Sequence, residues 1–174
     1  MKIFPILLLS TFLWVSCAEG SVSESLNLSP PQTLSHTPSD LGTAQILPVT
    51  AKAIIGDQVI ELEVTQTPQE QALGLMYRTV LPDNRGMLFS FNPPRAVQFW
   101  MKNCKIPLDM IFLREGIVQA IEANVPPCLE TPCPSYGPNI AVDQVIEVRG
   151  GLAAELGLDV GDSVEVQPLE PDSL

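Results

Sequence analysis

From Val49 to Pro168 a turn signal interrupts the chain about every 8–12 residues, which leaves room for short strands and little for long helices. Ala51–Val64 alternates apolar and polar residues around Gly56-Asp57, the pattern of a hairpin. Thr67-Pro68-Gln69-Glu70 then reads as a helix start. Thr67 is the N-cap, Pro68 occupies the first helical position and Glu70 reaches back to complete a capping box. The helix is predicted to carry Ala72, Leu73, Leu75 and Met76 as far as about Tyr77.

After a turn at Pro82–Gly86, Met87–Phe91 reads as a strand, and Asn92–Arg95 turns the chain again. Strands follow at Ala96–Met101 and Leu108–Leu113, broken by Ile106-Pro107, then at Ile117–Ala123 and Val142–Val148. The proline-rich stretch Asn124–Asn139 reads as a loop. Gly151–Leu156 is a short helix closed by Gly157, and Ser163–Val166 is a last strand. These elements predict a compact, mostly-β α+β domain at 49–168, a barrel-like mixed sheet with two short helices. At about 120 residues it is long enough for one real core.

The N-terminal residues have a different character. Lys2, the apolar run Ile3–Val15 and the small residues Ser16-Cys17-Ala18 predict a signal peptide over 1–18. The run is shorter than the roughly 20 residues that span a bilayer. Cys17 at its end resembles a bacterial lipoprotein cleavage box, although Trp14 stands where leucine is usual; ordinary cleavage after Ala18 is the alternative. Residues 19–48 are rich in Ser, Pro and Thr, without helical or strand period, and predict a disordered tether. The chain's one histidine, His36, lies in it, which removes the commonest general base from the domain. Residues 169–174 form a tail. The expected location is therefore the periplasmic side of the membrane, held there by an N-terminal lipid or signal anchor.

With 20 acidic against 9 basic residues the net charge is −11, which disfavours a phosphate-backbone partner. The sequence holds no phosphate-cradling glycine loop, dinucleotide fingerprint or serine nucleophile elbow.

Four motifs in order carry a resemblance: GLMYR (Gly74–Arg78), GMLFSF (Gly86–Phe91), FWMKNCKIPLDMIF (Phe99–Phe112) and VIEVRGG followed by LGLDVGDSVEV. Together they resemble domain-of-unknown-function family 192, over about Ile54–Val166. The resemblance implies a compact β-rich α+β fold and brings no established activity. The family usually has threonine where this chain has Cys104.

The candidate ligand-binding residues are Arg78, Lys102, Asn103 and Asp109. Strand alternation puts Leu108, Met110 and Phe112 on one face and Asp109, Ile111 and Leu113 on the other, so Asp109 is expected to be at least half buried. A buried carboxylate needs partners, either Arg78 or Lys102, or backbone N–H groups near Pro107. The alternative is a cleft in which the four side chains meet a small ligand. Cys128 and Cys133, five residues apart in a proline-rich loop, are expected to form a disulfide after export, leaving Cys104 as a small buried residue. No metal or cofactor is expected, because the domain lacks histidine and its cysteines lack C-x2-C spacing.

These readings converge on an exported, membrane-tethered, non-catalytic module that binds a small ligand or an envelope protein. An enzyme using Arg78, Lys102, Asn103 and Asp109 in a pocket is one alternative. A purely structural or assembly protein of the envelope is another.

Overall fold

A computed structural model describes residues 42–169. The expected signal peptide, Cys17, His36, most of the expected tether and all but the first residue of the tail lie outside the described residues.

The Gly56-Asp57 turn joins strands β1 (Val49–Ile55) and β2 (Gln58–Val64) as an antiparallel hairpin. Helix α1 (Pro68–Leu73) begins as its sequence predicts: Thr67 accepts from the Glu70 N–H, and the Glu70 carboxylate accepts from the Thr67 N–H. It ends one turn earlier than Tyr77, because Gly74 leaves helical geometry at φ 48°. Leu75 and Met76 are still buried, but in a turn.

The remaining strands are β3 (Arg85–Arg95), β4 (Phe99–Trp100), β5 (Leu108–Arg114), β6 (Ile117–Val125), β7 (Ser135–Tyr136), β8 (Val142–Arg149) and β9 (Glu165–Pro168). Helix α2 spans Leu152–Glu155. Three expectations are corrected. The turn at Asn92–Arg95 is a slip in the register of β3, where Pro93 and Pro94 cannot donate to a neighbour. The strand expected at Ala96–Met101 shrinks to Phe99–Trp100, whose partner β7 is only two residues long. That partner lies inside the stretch read as loop.

Seven strands form one sheet in the order β6-β5-β8-β3-β2-β1-β9, with β2 and β3 parallel and the other pairs antiparallel. The sheet curls until its edges approach. Val118 donates to the Asp162 carbonyl at 2.9 Å, and Val164 donates to the Gly116 carbonyl at 2.8 Å. The expected barrel-like α+β domain is the fold observed.

Both faces of the sheet are buried. One face, with Ile60, Leu62, Ile111, Leu113, Ile146 and Val148, packs on α2. The other, with Met87, Phe89, Met110 and Phe112, is covered by the segments carrying Leu75, Met101 and Cys104. The folded region begins before Val49: Gln45 Nε2 donates to the carbonyls of Glu70 and Gly74, both at 2.9 Å, and Leu47 packs on the second core. No helix among the described residues is long and apolar enough to cross a membrane.

Candidate functional site

β5 is paired on both sides, by β6 and β8, and covered on both faces, so Asp109 is wholly buried, and its partners are backbone groups. Oδ1 accepts from the N–H of Asn124 (2.6 Å) and Gly151 (2.8 Å), and Oδ2 accepts from Ala153 (2.7 Å). The N-cap of α2 is Gly151, which has no side chain to cap it; Asp109 supplies the missing acceptor from the neighbouring strand. Neither expected cation pairs with it, and the backbone N–H groups that do hold it come from the end of β6 and the start of α2 and not from the Pro107 turn.

Arg78 is paired elsewhere. It donates to Glu63 Oε2 at 2.6 Å, and its Nε donates to the Gln45 carbonyl at 2.8 Å. Both side chains are mostly buried, so this pair pins the entry of the domain to β2. Lys102 lies with Nζ 5.2 Å from the centre of the Trp100 ring. Asn103 takes φ 59°, its carbonyl accepts from the Tyr77 N–H at 2.9 Å and its Nδ2 lies 3.8 Å from Met76 Sδ. None of the four candidates bonds to another. Asp109 faces α2, whereas Asn103 contacts the opposite core through Met76.

The group that sequence reasoning missed is Glu147. In the sheet it stands between Met87 of β3 and Met110 of β5, on the face of the second core, and is only 4% exposed. Among the described residues nothing donates a hydrogen bond to its carboxyl. Burial pushes its pKa up to about 8, so near neutral pH it is largely protonated. It lines a narrow cavity of about 30 Å³ together with Gly74, Met76, Phe99, Trp100 and Cys104. A Cβ at Gly74 would stand 3.8 Å from Glu147 Oε2 and 3.4 Å from Phe89 Cζ, so the glycine that ends α1 also leaves the carboxyl uncovered.

The cavity shares Gln71, Ala72, Phe89, Phe99 and Trp100 with a wider groove of about 310 Å³, whose outer wall includes Phe91, Val97 and Arg95. Phe89 and Phe99 meet edge to face at 5.0 Å. Cys104 is a free, buried thiol, pushed up to about 12 by burial and by the nearby Glu147 carboxylate. Cys128 and Cys133 are bonded to each other, as the spacing predicts. Among the described residues no group of three or more His, Cys, Asp or Glu side chains is arranged to hold a metal ion.

The fold and pocket define a small β-rich domain with an aromatic groove over a buried acid. The sequence matches the DUF192 family (Uncharacterized ACR) over residues 50–166, and the chain belongs to that family. No curated protein matches it. A protein of unknown function from Novosphingobium aromaticivorans has a similar structure, with 38% identity and a TM-score of 0.60; the match covers 72% of this chain and 94% of that one. A Sinorhizobium meliloti protein named as a candidate transcription regulator is also similar, at 30% identity and a TM-score of 0.58, covering 71% and 98%.

Proposed function

We propose that this protein is a non-catalytic small-ligand-binding module, exported and held at the periplasmic face of the membrane by its N-terminal segment. One observation carries the binding reading: Glu147 is only 4% exposed, its carboxyl has no hydrogen-bond partner among the described residues, and it borders a cavity below an aromatic groove. An unpartnered buried polar group costs stability, and proteins retain such costs chiefly at functional sites. The groove walls offer apolar contact and the carboxyl offers orientation, the division of labour expected of a small-molecule pocket.

Binding is favoured over catalysis by Cys104. It is the nucleophile lining the cavity, yet burial holds it as a thiol, with the Glu147 charge adding to this once that carboxyl ionises, and the thiolate is the reactive form. DNA binding, suggested by the description of the Sinorhizobium protein, is opposed by the net charge of −11.

The test is a nuclear magnetic resonance titration of labelled protein with small molecules that combine an apolar body and one polar head. Saturable shifts should cluster at the amides of Gly74 and Cys104 and at the Trp100 indole, and disappear in Trp100→Ala. Shifts scattered over the surface, or none, would sink the binding reading.

A further inference from the structure

We infer that the cavity at Glu147 receives the head of a primary organic ammonium ion, whose apolar stem lies along Phe89, Phe99 and Trp100 in the groove. The inference rests on the binding reading above and names the class of ligand. Four observations point the same way.

The first is charge. Glu147 is the one group lining the cavity that becomes an anion in the accessible pH range, because Cys104 stays a thiol up to about 12. The strand neighbours that flank the carboxyl, Met87 and Met110, bring no countercharge. Arg95 and Lys102 are stacked on the Phe91 and Trp100 rings at 5.0 and 5.2 Å, and neither lines the inner cavity. A positive head would therefore supply the missing partner.

Size is the second. The cavity is small, about 30 Å³ against about 310 Å³ for the groove above it, which suits a compact –NH₃⁺ head at its base and an apolar stem in the groove. A quaternary ammonium head is several times larger than –NH₃⁺ and fits so small a cavity less well.

The walls are the third. Phe89, Phe99 and Trp100 offer π-systems, which attract cations, and Met76 adds a polarisable sulfur. Of the lining side chains only the Gln71 amide and the Trp100 indole are strong neutral donors, and one of the two Gln71 N–H groups is already given to the Ser90 carbonyl at 3.3 Å. An anionic or acceptor-rich head would find little to receive it. Fourth, the net charge of −11 draws cations toward the protein from a distance.

The competing ligand for this geometry is a neutral molecule whose carbonyl accepts a hydrogen bond from protonated Glu147. The two differ in the sign of their pH dependence. An ammonium ion binds the ionised carboxylate, so its affinity falls roughly tenfold per pH unit below about 8, as Glu147 takes up its proton. A carbonyl ligand needs the proton and weakens above the same point.

The experiment titrates n-butylammonium, 1-butanol, butyrate and tetramethylammonium into the full-length chain at about pH 6 and about pH 9, reading the Gly74 and Cys104 amides. The expected result is saturable n-butylammonium binding at the higher pH, at least about tenfold tighter than any other probe, weakening as pH falls and lost in Glu147→Gln. The wild-type pH profile carries the test should that variant fold poorly. If 1-butanol binds as well, or n-butylammonium tightens on acidification, the ammonium inference fails while the groove remains a binding site. Equal binding of tetramethylammonium overturns the primary head. If every probe leaves the groove amides unmoved, the inference and the binding reading fall together.

Discussion

Asp109 and the residue facing Glu147 are consecutive in β5: Asp109 pairs in register with Val148, and Met110 with Glu147. The two carboxyls therefore occupy adjacent positions on opposite faces of the sheet, and the chain surrounds them oppositely. Three N–H donors converge on Asp109, whereas Glu147 has no donor among the described residues. Asp109→Ala strands those three donors and uncaps α2, so unfolding in urea should show a loss of about 3–5 kcal/mol. A loss below about 1 kcal/mol would mean that the capping contributes little. Glu147 predicts a pH effect of definite sign. The unfolded carboxyl ionises near 4.5 and the folded one only near 8, so the folded state holds a proton that the unfolded state releases. The stability associated with this group is fully present below about 4.5 and falls by roughly 1.4 kcal/mol per pH unit until about 8, then stays level. Glu147→Gln should abolish that slope and be the more stable protein at about pH 9. Asp83 and Glu155, held low by hydrogen bonds from Arg149, and Glu70, held low by the Gln66 N–H, titrate below this window and do not mask it. Equal slopes for variant and parent would contradict the assignment.

Among the elements, local chemistry was legible and pairing at a distance was not. The Gly56-Asp57 hairpin and the Thr67–Glu70 capping box are written in adjacent residues, and both form as read. The alternation in β5 correctly separates Asp109 from Met110, because it depends only on the period of a strand. The same rule does not find Glu147. In Val142–Val148 an alternating acid suggests a solvent face, but β8 lies between β5 and β3 with both faces covered, and that placement depends on residues far along the chain. The phase it shares with Val145, which packs in the second core, was the available clue. The Cys128–Cys133 bond shows how a covering loop is fixed: Cys128 also donates its N–H to the Met101 carbonyl at 3.1 Å, tying the loop to the segment over the second core. Cys133→Ser should lower stability by about 2 kcal/mol, as closing so short a loop implies. Peptide mapping without reduction checks the pairing, and a bridge from Cys104 to either partner would refute it.

At the scale of the whole molecule, the question is what holds the domain where its ligand would be met. The domain's entry is fixed firmly, since Arg78 joins Glu63 to the Gln45 carbonyl and the Leu47 N–H donates to Glu63 Oε2 at 2.7 Å. The same entry also reaches the cavity rim, because the Gln45 side chain donates to the carbonyls of Glu70 and of Gly74, the glycine that borders the cavity. Upstream, the sequence offers an apolar run, Cys17 at its end and then a stretch rich in Ser, Pro and Thr. That order suits an acylated cysteine followed by a spacer. Since one acyl chain binds a membrane only marginally, with about 0.8 kcal/mol per buried methylene, stable anchoring requires more than one chain on Cys17. On the proposed reading, Cys17→Ser removes the acylated residue without touching any residue of the domain. The variant should move from the membrane pellet to the soluble fraction while retaining the melting temperature of the parent domain and its pocket titration. Mass spectrometry of the parent should find the N-terminal peptide starting at a modified Cys17. A parent protein that is already soluble and begins at Glu19 would overturn the lipid anchor and leave a freely diffusing binding protein in its place.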